Sequence, residues 1–212
     1  MYSHCRIIGC PNPTTAGTTQ GLNHLYCRRH EEHFERHGSY IKGSYKAEYL
    51  KPYRKAAEAW LKENVDNPLV KYALEAIEGL YRSAGPKVES FRLRGLTPAQ
   101  RARAAWARLR EAEVSPLKPL AAWLAVELAI RADPQAEAKQ EYKLVQAAKL
   151  VHRMASGTHK RWERERPGGK VVVEEMHKYP HSRGQVLRHL GKQLQAATEM
   201  LVAYHLEEIN AA

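Results

Sequence analysis
Hydrophobic positions recur every three to four residues along most of this chain, the period of helices packed by one face. From Ser44 to Val65, Tyr45, Tyr49, Tyr53, Ala57, Trp60 and Leu61 fall on one arc. Asn67-Pro68 is a cap followed by a first-turn proline, and its helix runs to Ser83 with Leu69, Val70, Ala73, Leu74, Ile77 and Leu80 inward. Gly85-Pro86 ends it, and residues 86–95 form a connector carrying Arg92 and Arg94. Thr97-Pro98-Ala99-Gln100 has a hydroxyl cap with Gln three positions on, and opens a helix to Glu113 with Ala102, Ala105, Trp106 and Leu109 on one arc. Arg101, Arg103, Arg108 and Arg110 flank that arc, where their stems can snorkel.

Leu120 to Arg131 is apolar nearly all round, which predicts a central, buried helix with Trp123 in the core. Asp133-Pro134 then starts a helix from Gln135 to Ala155. Its inner arc is Leu144, Ala148, Val151 and Ala155, and its outer arc carries Lys139, Lys143, Lys149 and Arg153. A capping box, Ser182-x-x-Gln185, opens the longest helix, which runs to Ile209. There Leu187, Leu190, Leu194, Ala197, Leu201 and Tyr204 make a coiled-coil-like seam that fits either the bundle interior or a homodimer through 183–209.

Residues 156–180 break the helical rhythm. A charged run, Lys160-Arg161-Trp162-Glu163-Arg164-Glu165-Arg166, and a Val run, Val171-Val172-Val173, flank Pro167-Gly168-Gly169-Lys170. This predicts a β-hairpin over 158–176. With a two-residue turn, Arg164 opposes Val173, Arg166 opposes Val171, and Glu163 faces Glu174. The fold class is therefore mainly α: a small N-terminal knuckle, a multi-helix bundle, this hairpin and a long C-terminal helix.

Charge narrows the function classes. The chain of 212 residues carries a formal net charge of +11, an excess suited to a polyanion such as nucleic acid, DNA before RNA. The longest apolar run is too short to span a bilayer, and Met1-Tyr2-Ser3-His4 has no leader character, so a cytoplasmic protein with no membrane partner is expected.

All three cysteines lie in the first thirty residues, as Cys5-x4-Cys10, a sixteen-residue polar loop, then Cys27-x2-His30. Two ligand pairs joined by a loop form a tetrahedral cage, and thiolate with imidazole suits Zn2+. His4, His24, His33 and His37 are also near, but His30 follows Cys27 by one helical turn. Four protein ligands leave no open position, so the zinc is expected to be structural, metal: Cys5, Cys10, Cys27 and His30. Leu25 to His37 is read as a helix with Cys27 and His30 in its first turn and Gly38 closing it. The division is a zinc-binding module over 1–40 and a helical domain over 41–212.

The run Gly21-Leu22, Tyr26-Cys27-Arg28-Arg29-His30, then Phe34-Glu35-Arg36-His37-Gly38 resembles a small Cys/His zinc module of phages and other mobile elements, which reads G-L-C-x-x-H-Y-x-R-x-x-R-H-G. The resemblance covers residues 4–40. It departs from that pattern in the inserted Asn23-His24-Leu25 and in Glu31-Glu32, where an aromatic is usual. It implies a nucleic-acid-associated zinc knuckle. The favoured reading is a non-catalytic zinc-containing accessory or regulatory protein that binds nucleic acid. Arg28, Arg29, Lys139, Lys143, Lys149, Arg153, Lys160, Arg161, Arg164, Arg166, Lys170, Arg183, Arg188 and Lys192 are the expected contacts. The alternatives are an adaptor docking a polymerase, recombinase or host factor, and a His-Asn-His-type nuclease using Asn23-His24. The nuclease reading needs a strand–helix frame, which the sequence around those residues does not announce.

Overall fold
The fold is that of a computed structural model describing residues 4–14, 16–18, 21–134, 140–155, 158–177 and 184–209. It is mainly helical. Two short strands, β1 (Ala16–Thr18) and β2 (Gly21–Asn23), pair antiparallel and lead into α1 (Arg28–His37). The body is α2 (Ala47–Glu63), α3 (Pro68–Ser83), α4 (Pro98–Glu111), α5 (Leu117–Ala132), α6 (Gln140–Met154) and α7 (Gln185–His205). A 3-10 turn, Ser90–Gly95, fills the α3–α4 connector. No helix among the described residues is long and apolar enough to cross a membrane.

The caps of α3 and α4 are those the sequence announces. Asn67 accepts from the Leu69 N–H at 2.8 Å, and Thr97 and Gln100 form the reciprocal capping box. Pro119 sits in the first turn of α5, where a missing N–H breaks no helical bond. Every residue from Pro119 to Ala129 is buried, so α5 is the central helix, with α2, α6, α7 and α3 packed against it. Trp123 lies in this core. So does Glu127, whose carboxylate takes Lys143 of α6 at 2.8 and 3.0 Å. Arg108 does not snorkel at a helix flank: it is buried, and its Nη2 meets Nε2 of His152 at 2.9 Å.

The α7 seam packs within the chain. Leu187, Leu190, Leu194, Ala197 and Leu201 are buried in the common core, and only Tyr204 faces solvent. Gly191 permits the close crossing, because a Cβ there would lie 2.5 Å from the Leu144 carbonyl oxygen of α6. The helix begins at Gln185 with Gly184 as its N-cap residue, so Gln185 is the first helical residue rather than the third. Ser182 lies outside the described residues, as does the 135–139 stretch expected to start α6.

The expected hairpin forms, with β3 (Thr158–Arg166) antiparallel to β4 (Lys170–His177). Its register differs from the expected one. Pro167, Gly168 and Gly169 form a three-residue turn, with φ of 99° and 73° at the two glycines. Arg166 therefore opposes Lys170, Arg164 opposes Val172, and Glu163 opposes Val173. The extra turn residue moves every pairing by one position and removes the unfavourable facing of Glu163 and Glu174.

Candidate metal centre
The first ligand pair sits on a knuckle. The Cys5 N–H donates to the Asn12 carbonyl at 2.9 Å and the Cys10 N–H to the Ile7 carbonyl at 3.0 Å. Gly9 takes the left-handed φ of 77° that this tight turn needs. The second pair sits at the start of α1. Cys27 is the N-cap residue and His30 the third helical residue, so the helix begins later than Leu25 but keeps the one-turn spacing. Asn23 sets this entry. Its Oδ1 accepts from the Leu25 N–H at 2.7 Å and the Tyr26 N–H at 3.1 Å, and its amide donates to Glu31. The Arg6 N–H then ties the knuckle to the Leu25 carbonyl at 2.9 Å.

These two pieces converge. His30 Nδ1 lies 3.3 Å from Cys5 Sγ and 3.3 Å from Cys27 Sγ, and Cys10 Sγ lies 3.9 Å from Cys27 Sγ. All four donor atoms lie within 4.8 Å of one another. A tetrahedron with metal–sulfur bonds of about 2.3 Å has edges of roughly 3.5–3.8 Å, so the cluster can hold one metal ion with no rearrangement of the fold. Cys5 and Cys27 are buried, which would shield such an ion from solvent.

Electrostatics suit the same purpose. Burial raises the Cys27 thiol, but bonds from the His30 N–H, Cys10, Cys5 and Asn12 outweigh it and hold the group below its ordinary value. For Cys10 the Asn12 N–H lowers the thiol, while burial and the sulfurs of Cys27 and Cys5 raise it, and the net shift is upward. Cys27 thus gives up its proton more readily and Cys10 less readily, and a bound cation would favour the thiolate of both. Burial, then Arg29 and His33, pushes His30 below the usual imidazole range and keeps it neutral, the form that ligates.

The other histidines are placed elsewhere. His4 and His24 are exposed. His33 Nδ1 meets the Ser39 carbonyl at 2.8 Å, and His37 Nδ1 meets Ser44 Oγ at 3.0 Å. Asn23 is occupied by its helix-entry bonds. A hairpin does precede α1, contrary to the expectation that no strand–helix frame surrounds Asn23-His24, and the frame's cysteines and His30 all point to the single cluster. Asn12 was missed by the sequence reading. It serves both cysteine pairs, through its N–H to Cys10 and its side chain to Cys27 at 3.8 Å. Its position two residues after Cys10 is the only signal the sequence gives.

The centre is fastened to the helical body. Tyr26, Phe34 and Tyr40 stack into a small core beside it, with centroid separations of 3.7 and 4.4 Å. The Gln146 amide of α6 donates to the His37 carbonyl at 2.9 Å, and Tyr142 Oη to the Gly43 carbonyl at 2.8 Å. Lys42 pairs with Asp133, which also accepts from Tyr45 Oη at 2.8 Å.

The expected nucleic-acid contacts divide into three groups. Arg28, Arg29, Arg153, Arg164, Arg166, Lys170 and Lys192 are exposed; Arg28 pairs with Glu32 at 3.0 Å and Arg164 with Glu174 at 3.6 Å. Lys143, Lys149 and Arg188 are engaged inside the fold. Lys143 pairs with Glu127, Lys149 Nζ meets Ser44 Oγ at 2.8 Å and His37 Nδ1 at 3.3 Å, and Arg188 is buried against Glu141. The outer arc of α6 is therefore not an open cationic stripe: partners on α5, α1 and the α1–α2 connector take two of its lysines. Lys139 and Arg183, and the side chains of Lys160 and Arg161, lie outside the described residues.

No family model, curated protein or solved structure matches this chain. Its function is read from the centre and the surface around it.

Proposed function
We propose that this is a non-catalytic, zinc-containing nucleic-acid-binding protein, an accessory or regulatory factor of a phage or mobile element, working in the reducing cytoplasm. Three sulfurs and an imidazole favour Zn2+ over oxygen-seeking Mg2+ or Ca2+. Four protein donors leave no position for a substrate water, which makes the ion structural. Bound zinc would supply on the order of 10 kcal/mol to a segment whose own apolar core is small.

One observation carries the reading: the ligand cluster caps α1, and the two residues that follow the cap, Arg28 and Arg29, are exposed on a chain of net charge +11. The metal thus fixes the helix start that presents two guanidiniums. Arg153, Lys192 and the hairpin cations add to the same field, and DNA is the partner proposed. The test is a titration of duplex binding against salt. Phosphate contact gives log affinity falling with log salt by about 0.9 per phosphate. Binding that is weak and insensitive to salt would favour the adaptor reading instead.

A further inference from the structure
The β3–β4 hairpin gathers the cations around its turn on one face. Side chains alternate along each strand, so the observed register puts Trp162, Arg164 and Arg166 on the same side as Lys170, Val172 and Glu174. The opposite side carries Glu163 and Glu165 with Val171 and Val173. Arginine and glutamate alternate in the sequence, and the pleat sorts them. The result is one face with three cations, an indole, Val172 and the single carboxylate of Glu174, which pairs with Arg164 at 3.6 Å, and one face with two carboxylates and two valines.

The hairpin also stands away from the bundle. Residues 162–171 are exposed without a break, and Trp162, Val171 and Val173 are 41%, 56% and 43% exposed. Trp60, Trp106 and Trp123 are all buried. An isolated two-stranded ribbon is marginal in water, so a face of this kind gains order from whatever covers it. Its nine-residue first strand reaches roughly 26 Å at about 3.3 Å per residue. A two-stranded ribbon fits the major groove of B-form DNA, about 12 Å wide, whereas the A-form RNA groove is too narrow and deep.

We propose that the hairpin docks in the major groove of duplex DNA by its Trp162–Arg164–Arg166–Lys170 face, with the Glu163–Glu165 face turned to solvent. This rests on the nucleic-acid reading above and specifies the element, the face and the form of the partner. Arg166 and Lys170 flank the Pro167–Gly169 turn and reach deepest, while Trp162 lies nearer the bundle. Glu163 and Glu165 on the far face set the orientation, because a ribbon entering the other way would bring them against phosphates, whereas the one carboxylate of the docking face, Glu174, lies 3.6 Å from Arg164 as its ion-pair partner.

The experiment compares the full-length protein with Arg164→Ala/Arg166→Ala/Lys170→Ala, with Arg164→Lys/Arg166→Lys, and with Glu163→Gln/Glu165→Gln, on duplex and single-stranded oligonucleotides over a salt series. The alanine triple is expected to lose about tenfold or more in duplex affinity and to flatten the salt slope by about 2.7. The lysine pair should keep the slope, and the glutamine pair should bind as tightly as wild type or tighter. Duplex should also shield Trp162 from iodide quenching, an effect absent in Trp162→Phe. A steep wild-type slope left unchanged in the alanine triple overturns the hairpin assignment and leaves the nucleic-acid reading standing. Tighter binding to single strands than to duplex, with Trp162 shielded, overturns the groove assignment. Wild-type protein that binds no oligonucleotide overturns both.

Discussion

Arg188 of α7 holds its Nε 2.6 Å from the Glu141 carboxylate of α6, and its two terminal nitrogens each lie 3.3 Å from a carbonyl of α1, Phe34 and Glu35. One guanidinium therefore joins three helices and ties the helix that carries Cys27 and His30 to the body. Its plane also lies 5.1 Å over the Phe34 ring. A planar fork with several donors suits this place, where carboxylate, carbonyls and an aromatic face meet.

Arg188→Ala removes the partner of the Glu141 carboxylate and a donor to the Phe34 and Glu35 carbonyls, of which Phe34 keeps the Gly38 N–H at 2.7 Å. The expected loss is about 2 kcal/mol, read as a lower urea midpoint. Arg188→Lys should recover only part, since an ammonium cannot span the three acceptors. The metal content of both variants should match wild type, because the ligands lie on the other end of α1.

Gly38 closes α1 with φ of 76°, and a Cβ there would fall 2.5 Å from the Glu141 carbonyl oxygen and 2.8 Å from Tyr142 Cα. Gly38→Ala is expected to cost about 2 kcal/mol or more, from left-handed strain and from overpacking. Gly43→Ala is the control: its Cβ meets nothing within 4 Å, so its effect should stay within about 0.5 kcal/mol. Thermal melts of the two variants make the comparison.

Lys143 and Glu127 form a largely buried pair between α6 and α5. Lys143→Met strands the Glu127 charge and should destabilise by about 3 kcal/mol, and adding Glu127→Leu should return most of that loss. Chemical denaturation reads the stability. Under the proposed function, the salt slope of duplex binding should not change, because this lysine is held by a carboxylate.

Acid and base act on the joint in a defined direction. Burial, then Lys149, His33 and Arg36, lowers His37 to about 4; burial, then Arg153, lowers Lys149 to about 8. Both folded values lie below their unfolded ones. The unfolded chain therefore binds more protons between about 4 and 6.5 for His37 and between about 8 and 10.5 for Lys149. Stability should rise with pH through each window. In urea titrations from pH 8 to 10, Lys149→Met should show a smaller upward slope than wild type. His37→Asn should flatten the rise between pH 4 and 6.5.

Much of the helical frame was legible because its signals are local. Asn67-Pro68, the Thr97–Gln100 box and Gly38 act within one turn, and the run of α5, apolar but for Glu127, has no polar face to expose. The ligand set was legible for the same reason: each pair lies on one short element. The hairpin register was not, since counting Pro167 into the turn or out of it decides which face every later residue takes. Arg188, Lys143 and Lys149 were misread as surface cations. A helix-face argument sees spacing along its own element, whereas their partners Glu141, Glu127, His37 and Ser44 are fixed only by how the helices pack.

The central claim is that Cys5, Cys10, Cys27 and His30 hold one zinc ion. Elemental analysis combined with native mass spectrometry on the untagged protein tests it most directly. One zinc per chain in wild type, and none in Cys27→Ser with the α2–α7 helical signal retained, is the predicted result. Metal-free wild-type protein, or a Cys27→Ser variant that keeps its full zinc content, would contradict it.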